Sequence, residues 1–218
     1  MERSKIAIII PAFNEEKTIQ KVISSLREYG TLFVINDASS DNTLKILTKN
    51  RKIKIINNRL NLGYEASINK GFKMAFKMGF DFFITYDADD QFYSKDIKKI
   101  VYYFSNGYDL VVCNRKKLQR FSENIFYYIS NILYKAGDPL CGLKGYSRKL
   151  YSSLGSFDNG KLCGTELMFY GISNNFFYKK MRVNVKKRYD KSRFGVGMQT
   201  EIYILRSILF TIRNFFIK

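Results

Sequence analysis

Histidine is absent from all 218 residues. That removes Ser–His and Cys–His nucleophile pairs and every histidine metal ligand. Any acid–base chemistry falls to carboxylates, Lys or Tyr. Cysteine is scarce: Cys113, Cys141 and Cys163 are odd in number and far apart. They form no C-x-x-C pair, so neither a zinc site nor a disulfide framework is expected, and a reducing cytosol fits. No run of about 20 uncharged apolar residues is present, so no spanning helix is expected. The apolar run after Met1-Glu2-Arg3-Ser4-Lys5 is too short for a signal peptide, and none is expected. G-x-G-x-x-G and the full G-x-x-x-x-G-K-[ST] are missing, which argues against dinucleotide-type and P-loop phosphate sites. There is no RNP-like or KH-like motif to support an RNA-binding module, and no repeat or low-complexity segment.

Negative charge is also short. Nineteen Asp and Glu face 37 Lys and Arg, a net charge of +18. Such a balance favours anionic partners: nucleic acid, an anionic membrane surface or phosphorylated substrates. Compositional drift explains it equally well, because Lys, Asn, Ile, Phe and Tyr are abundant together. At 46% hydrophobic residues the chain is globular, and its length suits one sizeable core.

What is present is organised around Phe82-Phe83-Ile84-Thr85-Tyr86-Asp87-Ala88-Asp89-Asp90-Gln91. The apolar run reads as a buried strand, and carboxylates follow it at its carboxyl end, where ligands bind in open α/β sheets. Asp87 and Asp89 can both turn towards one divalent cation. All-oxygen ligation suits Mg²⁺ or Mn²⁺ bridging carboxylates to phosphates. A solvated turn is the plain alternative.

Ile6 to Ile10 and Leu32 to Ile35 are continuous apolar runs, as in strands covered on both faces. Asn14 reads as the N-cap of a first helix running to about Tyr29, with Glu15 and Glu16 at its positive end. Asn36 to Asp41 forms a loop, Ile53 to Ile56 a third strand, and Tyr64 to Met78 a helix. Strands alternating with helices predict an α/β fold, a mostly parallel sheet with flanking helices. The loops after the first, second and fourth strands carry Asn14 and Glu15, Asp37, then Asp87 and Asp89, all on one sheet edge.

Further on, Ser94 reads as a helix cap, and Tyr108 to Cys113 as a strand. Asn114 to Arg120 is a basic loop that fits a solvated surface or a phosphate clamp. Phe121 to Tyr134 reads as a helix, Gly137 to Arg148 as a connection, Thr165 to Ile172 as a helix, and Phe176 to Val185 as a strand. Lys186 to Gly195 is a second basic loop. The tail from about Gln199 has apolar positions interrupted by Arg206 and Arg213. That pattern suits an interfacial helix, a partner-docking helix or a plain core helix.

Pro11-Ala12-Phe13-Asn14-Glu15-Glu16, Val34 to Thr43, Asn61-Leu62-Gly63 and Asp87-Ala88-Asp89 occur in the order and spacing of family 2 glycosyltransferases with the GT-A, Rossmann-like fold. Asp138-Pro139 through Gly142-Leu143-Lys144, with Arg148, resembles the D-P-x-x-G-F-R pattern of dolichol-phosphate mannose synthases and related polyprenyl-phosphate glycosyltransferases. Arg188 with Ser192-Arg193 resembles their R-x-x-G-x-S-K element. The resemblance covers roughly residues 5 to 195.

It implies roles at matching positions. Pro11, Asn14, Glu15, Asp37, Asp87, Arg188 and Arg193 would bind a nucleotide sugar. Asp87, Asp89 and Gln91 would hold Mg²⁺ or Mn²⁺, with Asp89 also counted as catalytic. Arg115 and Arg120 would meet an acceptor phosphate, and Glu166 matches the base of relatives with hydroxyl acceptors. The implied reaction is inverting transfer of a sugar, mannose or glucose, from a nucleoside-diphosphate sugar to polyprenyl or dolichyl phosphate. The alternative is a glycan hydroxyl acceptor with Glu166 as base. Residues 1–197 would be the catalytic domain and 198–218 an amphipathic helix for a membrane surface or a membrane-anchored partner. The expected location is peripheral, at the cytosolic face of a membrane, with no nucleic acid partner.

Overall fold

A computed structural model describes residues 5–118, 120–160, 162–187 and 198–217. Strands β1 (Ile6–Ala12), β2 (Thr31–Asn36), β3 (Lys54–Asn57) and β4 (Phe82–Thr85) alternate with helices α1 (Ile19–Leu26), α2 (Thr43–Thr48) and α3 (Tyr64–Lys77). Then come α4 (Lys95–Ser105), β5 (Leu110–Arg115), α5 (Phe121–Tyr134), β6 (Lys144–Ser147), α6 (Arg148–Leu154), α7 (Glu166–Ser173), β7 (Tyr178–Val183) and α8 (Met198–Phe216). The strands form one sheet in the order β3-β2-β1-β4-β6-β5-β7. β1 pairs parallel with β2 and β4, β2 with β3, and β5 with β7. β6 runs antiparallel between β4 and β5.

Period-two alternation explains why the central strands are apolar throughout. Ala7 and Ile9 of β1 enter one core, and Ile8 and Ile10 enter the other. β2 divides the same way, Phe33 and Ile35 against Leu32 and Val34. One core is closed by Ile68 and Phe72 of α3, Leu150 of α6, Leu167 and Met168 of α7, and Ile204 and Ile208 of α8. The other is closed by α1 and α4. The four buried apolar side chains of α1, Ile19, Val22, Ile23 and Leu26, lie on one face. Each stabilises by about 1.5–3 kcal/mol relative to exposure.

Several expectations are corrected. Asn14 does not cap α1, which begins only at Ile19 after Thr18. Asn14 instead has φ 55°, a region that Asn tolerates better than most residues. Its Oδ1 accepts the Ser40 N–H at 2.8 Å, and its own N–H donates to Ser39 Oγ at 3.0 Å. The loop after β1 is thereby pinned to the loop after β2. Ser94 precedes α4 without a side-chain cap bond. The stretch read as a connection contains β6, whose place is set by pairing on both sides. The predicted Phe176–Val185 strand is shorter, Tyr178–Val183.

Candidate active site

The carboxyl ends of β1, β2 and β4 meet at one cavity of about 570 Å³. Pro11, Glu15, Asp37, Asp87, Asp89, Gln91, Arg115 and Arg120 all line it. Asn14 and Glu166 do not. Arg188 and Arg193 lie outside the described residues.

Asp37 organises one side of the cavity. It is buried, and its Oδ1 accepts from Asn58 Nδ2 at 2.8 Å and from the Leu62 N–H at 2.9 Å. Its Oδ2 accepts the Gly63 N–H at 2.8 Å. The Asn61-Leu62-Gly63 turn is thus wrapped around one carboxylate. Gly63, at φ 87°, supplies the left-handed backbone this needs. Glu15 is likewise buried, with Thr18 Oγ1 donating to its Oε2 at 3.0 Å and its own N–H donating to Thr43 Oγ1 at 2.8 Å.

The carboxylates after β4 sit in a strapped loop. Asp89 Oδ1 accepts the Gln91 N–H at 3.1 Å, and Tyr86 donates its phenol to the Phe92 carbonyl at 2.8 Å. Gln91 donates its Nε2 to the Lys186 carbonyl at 3.4 Å. Asp90, at φ 58°, turns away and is clasped by Lys21 at 2.6 Å and Lys186 at 2.7 Å. Burial pushes its carboxyl pKa up, but the two ammoniums outweigh that and hold it below the ordinary value. A depressed carboxylate stabilises above its unfolded pKa of about 3.9, and the contribution is lost as pH falls through the lower folded value. Asp90→Asn is therefore expected to cost about 1–2 kcal/mol at neutral pH, the deficit closing on acidification below about pH 4. Thermal unfolding of both forms across pH checks this.

Asp87 rests against the D-P-x-x-G segment. A Cβ built on Gly142 would lie 2.0 Å from Asp87 Oδ2 and 2.4 Å from its Cγ. Only glycine leaves room for the carboxylate there. Gly142 is held by its carbonyl, which accepts from Thr85 Oγ1 at 2.7 Å. Asp87 and Asp89 offer oxygen ligands suited to Mg²⁺ or Mn²⁺. Among the described residues no cluster of three or more Cys, Asp or Glu is built to hold a metal. An ion here would need oxygens from a ligand as well, which is how Mg²⁺ commonly binds substrate phosphates.

Arg115 and Arg120 are the other wall. Arg115 is not a free clamp. Its Nε donates to Asp138 Oδ2 at 2.6 Å and its Nη2 to Asp138 Oδ1 at 3.1 Å, a bidentate pair. Glu123 Oε2 lies 3.3 Å from Arg115 Nη2, and Glu123 Oε1 accepts from Arg120 Nη1 at 2.8 Å. Burial would lower the Arg115 pKa, but Asp138 above all, with Glu123, raises it instead, so the guanidinium stays charged.

Glu166 is engaged elsewhere. Its carboxylate accepts the Asn159 N–H at 2.7 Å and the Asn159 side-chain amide at 3.0 Å. A different carboxylate, Glu65 in the first turn of α3, does line the cavity. Burial pushes its pKa up, and Tyr203 of α8 donates to it at 3.1 Å. The sequence reading missed Glu65, Tyr203 and Glu123, and had Lys144 only as the last residue of the Asp138–Lys144 pattern, without a role. Glu123 had a local signal, three residues after Arg120 on one helix. Glu65 and Tyr203 had none, being 138 residues apart.

The Glycosyl transferase family 2 profile matches residues 7–183, which covers the sheet from Ala7 to Val183 and all of this site except Val185 and α8. The chain belongs to glycosyl transferase family 2. It is 29% identical over 174 residues to the UDP-N-acetylglucosamine–dolichyl-phosphate N-acetylglucosaminyltransferase of Methanococcus voltae, covering 66% of this chain and 69% of that one. It is 30% identical over 171 residues to the undecaprenyl-phosphate 4-deoxy-4-formamido-L-arabinose transferase of Proteus mirabilis, covering 69% of this chain and 51% of that one. The matched region is thus about half the length of the Proteus relative. Among solved structures, glucosyl-3-phosphoglycerate synthase of Mycobacterium tuberculosis, bound to Mn²⁺, UDP and phosphoglyceric acid, superposes with a TM-score of 0.74. At 16% identity it covers 97% of this chain and 78% of its own. The family 2 chain therefore has the GT-A fold, an α/β sheet flanked by helices, and no helix of its described residues is long and apolar enough to cross a membrane.

Proposed function

We propose that this family 2 glycosyltransferase moves a sugar from a nucleoside-diphosphate sugar to a polyprenyl or dolichyl phosphate, with inversion at the anomeric carbon. One observation carries the reading. The Asp138–Lys144 segment touches both halves of the cavity, Gly142 against Asp87 and Asp138 against Arg115. The segment that resembles the lipid-phosphate branch thereby sets the carboxylates and the arginine wall in one frame.

In this reading the nucleotide lies along Pro11, Glu15 and the Asp37–Gly63 turn. Asp87 and Asp89, with Gln91, would hold Mg²⁺ or Mn²⁺, which would neutralise charge on the leaving diphosphate. The Arg115–Asp138–Glu123–Arg120 network presents the acceptor phosphate. An acceptor oxygen attacks the anomeric carbon while the bond to the donor β-phosphate oxygen breaks, and the nucleoside diphosphate leaves with the electron pair. A phosphate monoester is largely ionised at neutral pH, its second pKa being about 6. No proton has to be removed, which agrees with a chain that has no histidine and with a Glu166 turned to Asn159. Positioning supplies the remainder.

In this reading the enzyme works at a membrane surface, at its cytosolic face, where the acceptor lipid would be met. Large apolar side chains stand exposed on α5 (Phe121, Tyr128, Ile132) and α8 (Ile202, Leu205, Leu209, Phe216). The two helices are joined by Glu201 accepting the Ser122 N–H at 3.2 Å and by Tyr134 donating to the Thr211 carbonyl at 3.3 Å. Such surfaces, with Arg206 and Arg213 nearby, suit an interfacial helix pair.

The test is incubation with Mg²⁺ or Mn²⁺, labelled GDP- and UDP-sugars (mannose, glucose and N-acetylglucosamine) and a short polyprenyl phosphate. Label is expected in the lipid phase and is expected to vanish with EDTA. Free sugar without glycolipid would move the acceptor to a hydroxyl, and no donor use would end the reading.

A further inference from the structure

A third cation lines the cavity, and its circumstances differ from those of the two arginines. Lys144 opens β6, in register with Thr85 of β4 and Val112 of β5. Its backbone N–H donates to Thr85 Oγ1 at 3.1 Å. The residue is thereby fixed between the strand that leads to Asp87 and the strand that ends at Arg115. It is 4% exposed and lines the cavity.

Among the described residues its ammonium makes no ion pair and no hydrogen bond. Arg115 is already committed to Asp138 and Glu123, and Arg120 to Glu123. An anion that recruits either arginine competes with carboxylates in place. Lys144 has nothing to give up. A buried ammonium without a partner is costly, and the folded chain is relieved of that cost when a negative oxygen arrives. Burial lowers its pKa and outweighs the pull of the Asp138 and Asp87 carboxylates, which act from beyond ion-pair distance.

Resting on the reading of this cavity as a nucleotide-sugar and phosphate site, we propose that Lys144 is a phosphate-binding residue, its ammonium donating to a non-bridging phosphate oxygen between the carboxylate and arginine walls. Two ligands offer that oxygen: the diphosphate of the donor and the monophosphate of the acceptor.

The test uses the full chain and Lys144→Met, which keeps length and removes charge. Affinity for UDP and GDP with Mg²⁺ is read by calorimetry, KM for a short polyprenyl phosphate by transfer, and Tm by thermal unfolding. Tm is expected to hold or rise, because no ion pair is broken. One ligand is expected to bind about 10- to 100-fold more weakly, the effect of losing a charged hydrogen bond. Weakened nucleotide with unchanged lipid KM assigns the donor; the reverse assigns the acceptor. Lys144→Arg is expected to recover part of the loss. Lys144→Gln is the second variant should the thioether pack badly. Unchanged affinity for both ligands, with or without a lower Tm, would overturn the inference. A wild-type chain that binds neither ligand would overturn the functional reading along with it.

Discussion

Gly142→Ala is expected to lower turnover by about a hundredfold or more while the chain remains folded. The added Cβ would meet Asp87 Oδ2 at 2.0 Å, Cγ at 2.4 Å and Oδ1 at 2.4 Å, so the whole carboxylate has to shift. The backbone has little freedom to yield instead. The Gly142 carbonyl is held by Thr85 Oγ1, and two residues later the chain is bound into β6 between β4 and β5. Relief therefore falls on Asp87, by something on the order of an ångström, a misplacement that costs about 10² in rate where a catalytic group is concerned. Asp87 sits on the cavity wall and not in the core, so Tm should fall by only a few degrees. Steady-state transfer kinetics with Mn²⁺ titrated at saturating donor give the result. An Ala variant with wild-type kcat and wild-type Mn²⁺ dependence would mean that Asp87 does not hold the ion.

Asp138→Ala is expected to be the most destabilising single change in the site, by about 3–5 kcal/mol, or roughly 10 °C in Tm for a chain of this size. Asp138 is 1% exposed and takes both forks of Arg115. Its removal leaves a buried guanidinium with Glu123 as its remaining described ion-pair partner, itself shared with Arg120. An uncompensated buried charge costs more than the intact pair contributes. The double variant Asp138→Ala with Arg115→Met should therefore recover much of the lost stability. Chemical denaturation of the two single variants and the double one measures this coupling. If Asp138→Ala left stability unchanged and tightened the acceptor KM, the carboxylate would be holding Arg115 back from its ligand, contrary to the positioning role.

How much of this was legible in sequence can be followed residue by residue. β1 and β2 were readable because a strand buried on both faces must be apolar at every position, and Ile6 to Ile10 and Leu32 to Ile35 are. The clustering of Glu15, Asp37, Asp87 and Asp89 followed from topology, since parallel strands joined by helices bring their carboxyl ends to one edge. β6 was not readable. Lys144-Gly145-Tyr146-Ser147 has neither alternation nor an apolar run, and it is a strand because β4 and β5 both pair with it. The Asn14 N-cap was wrong because its side chain found partners 26 residues away, in Ser40, before it could serve its own helix.

The amino-acid sequence by itself determined the α/β class, the edge of the sheet that carries the site, the carboxylate pair and the exclusion of histidine chemistry, because these depend on residue type and short-range order. The tertiary structure alone decided which charges are spoken for. Arg115 and Asp138 are 23 residues apart, Glu166 is absorbed by Asn159, and Lys144 is left without a counter-ion among the described residues. Ion pairing is a matter of distances within a few ångströms between groups far apart in the chain. Composition and spacing record which charges exist, and only packing assigns their partners.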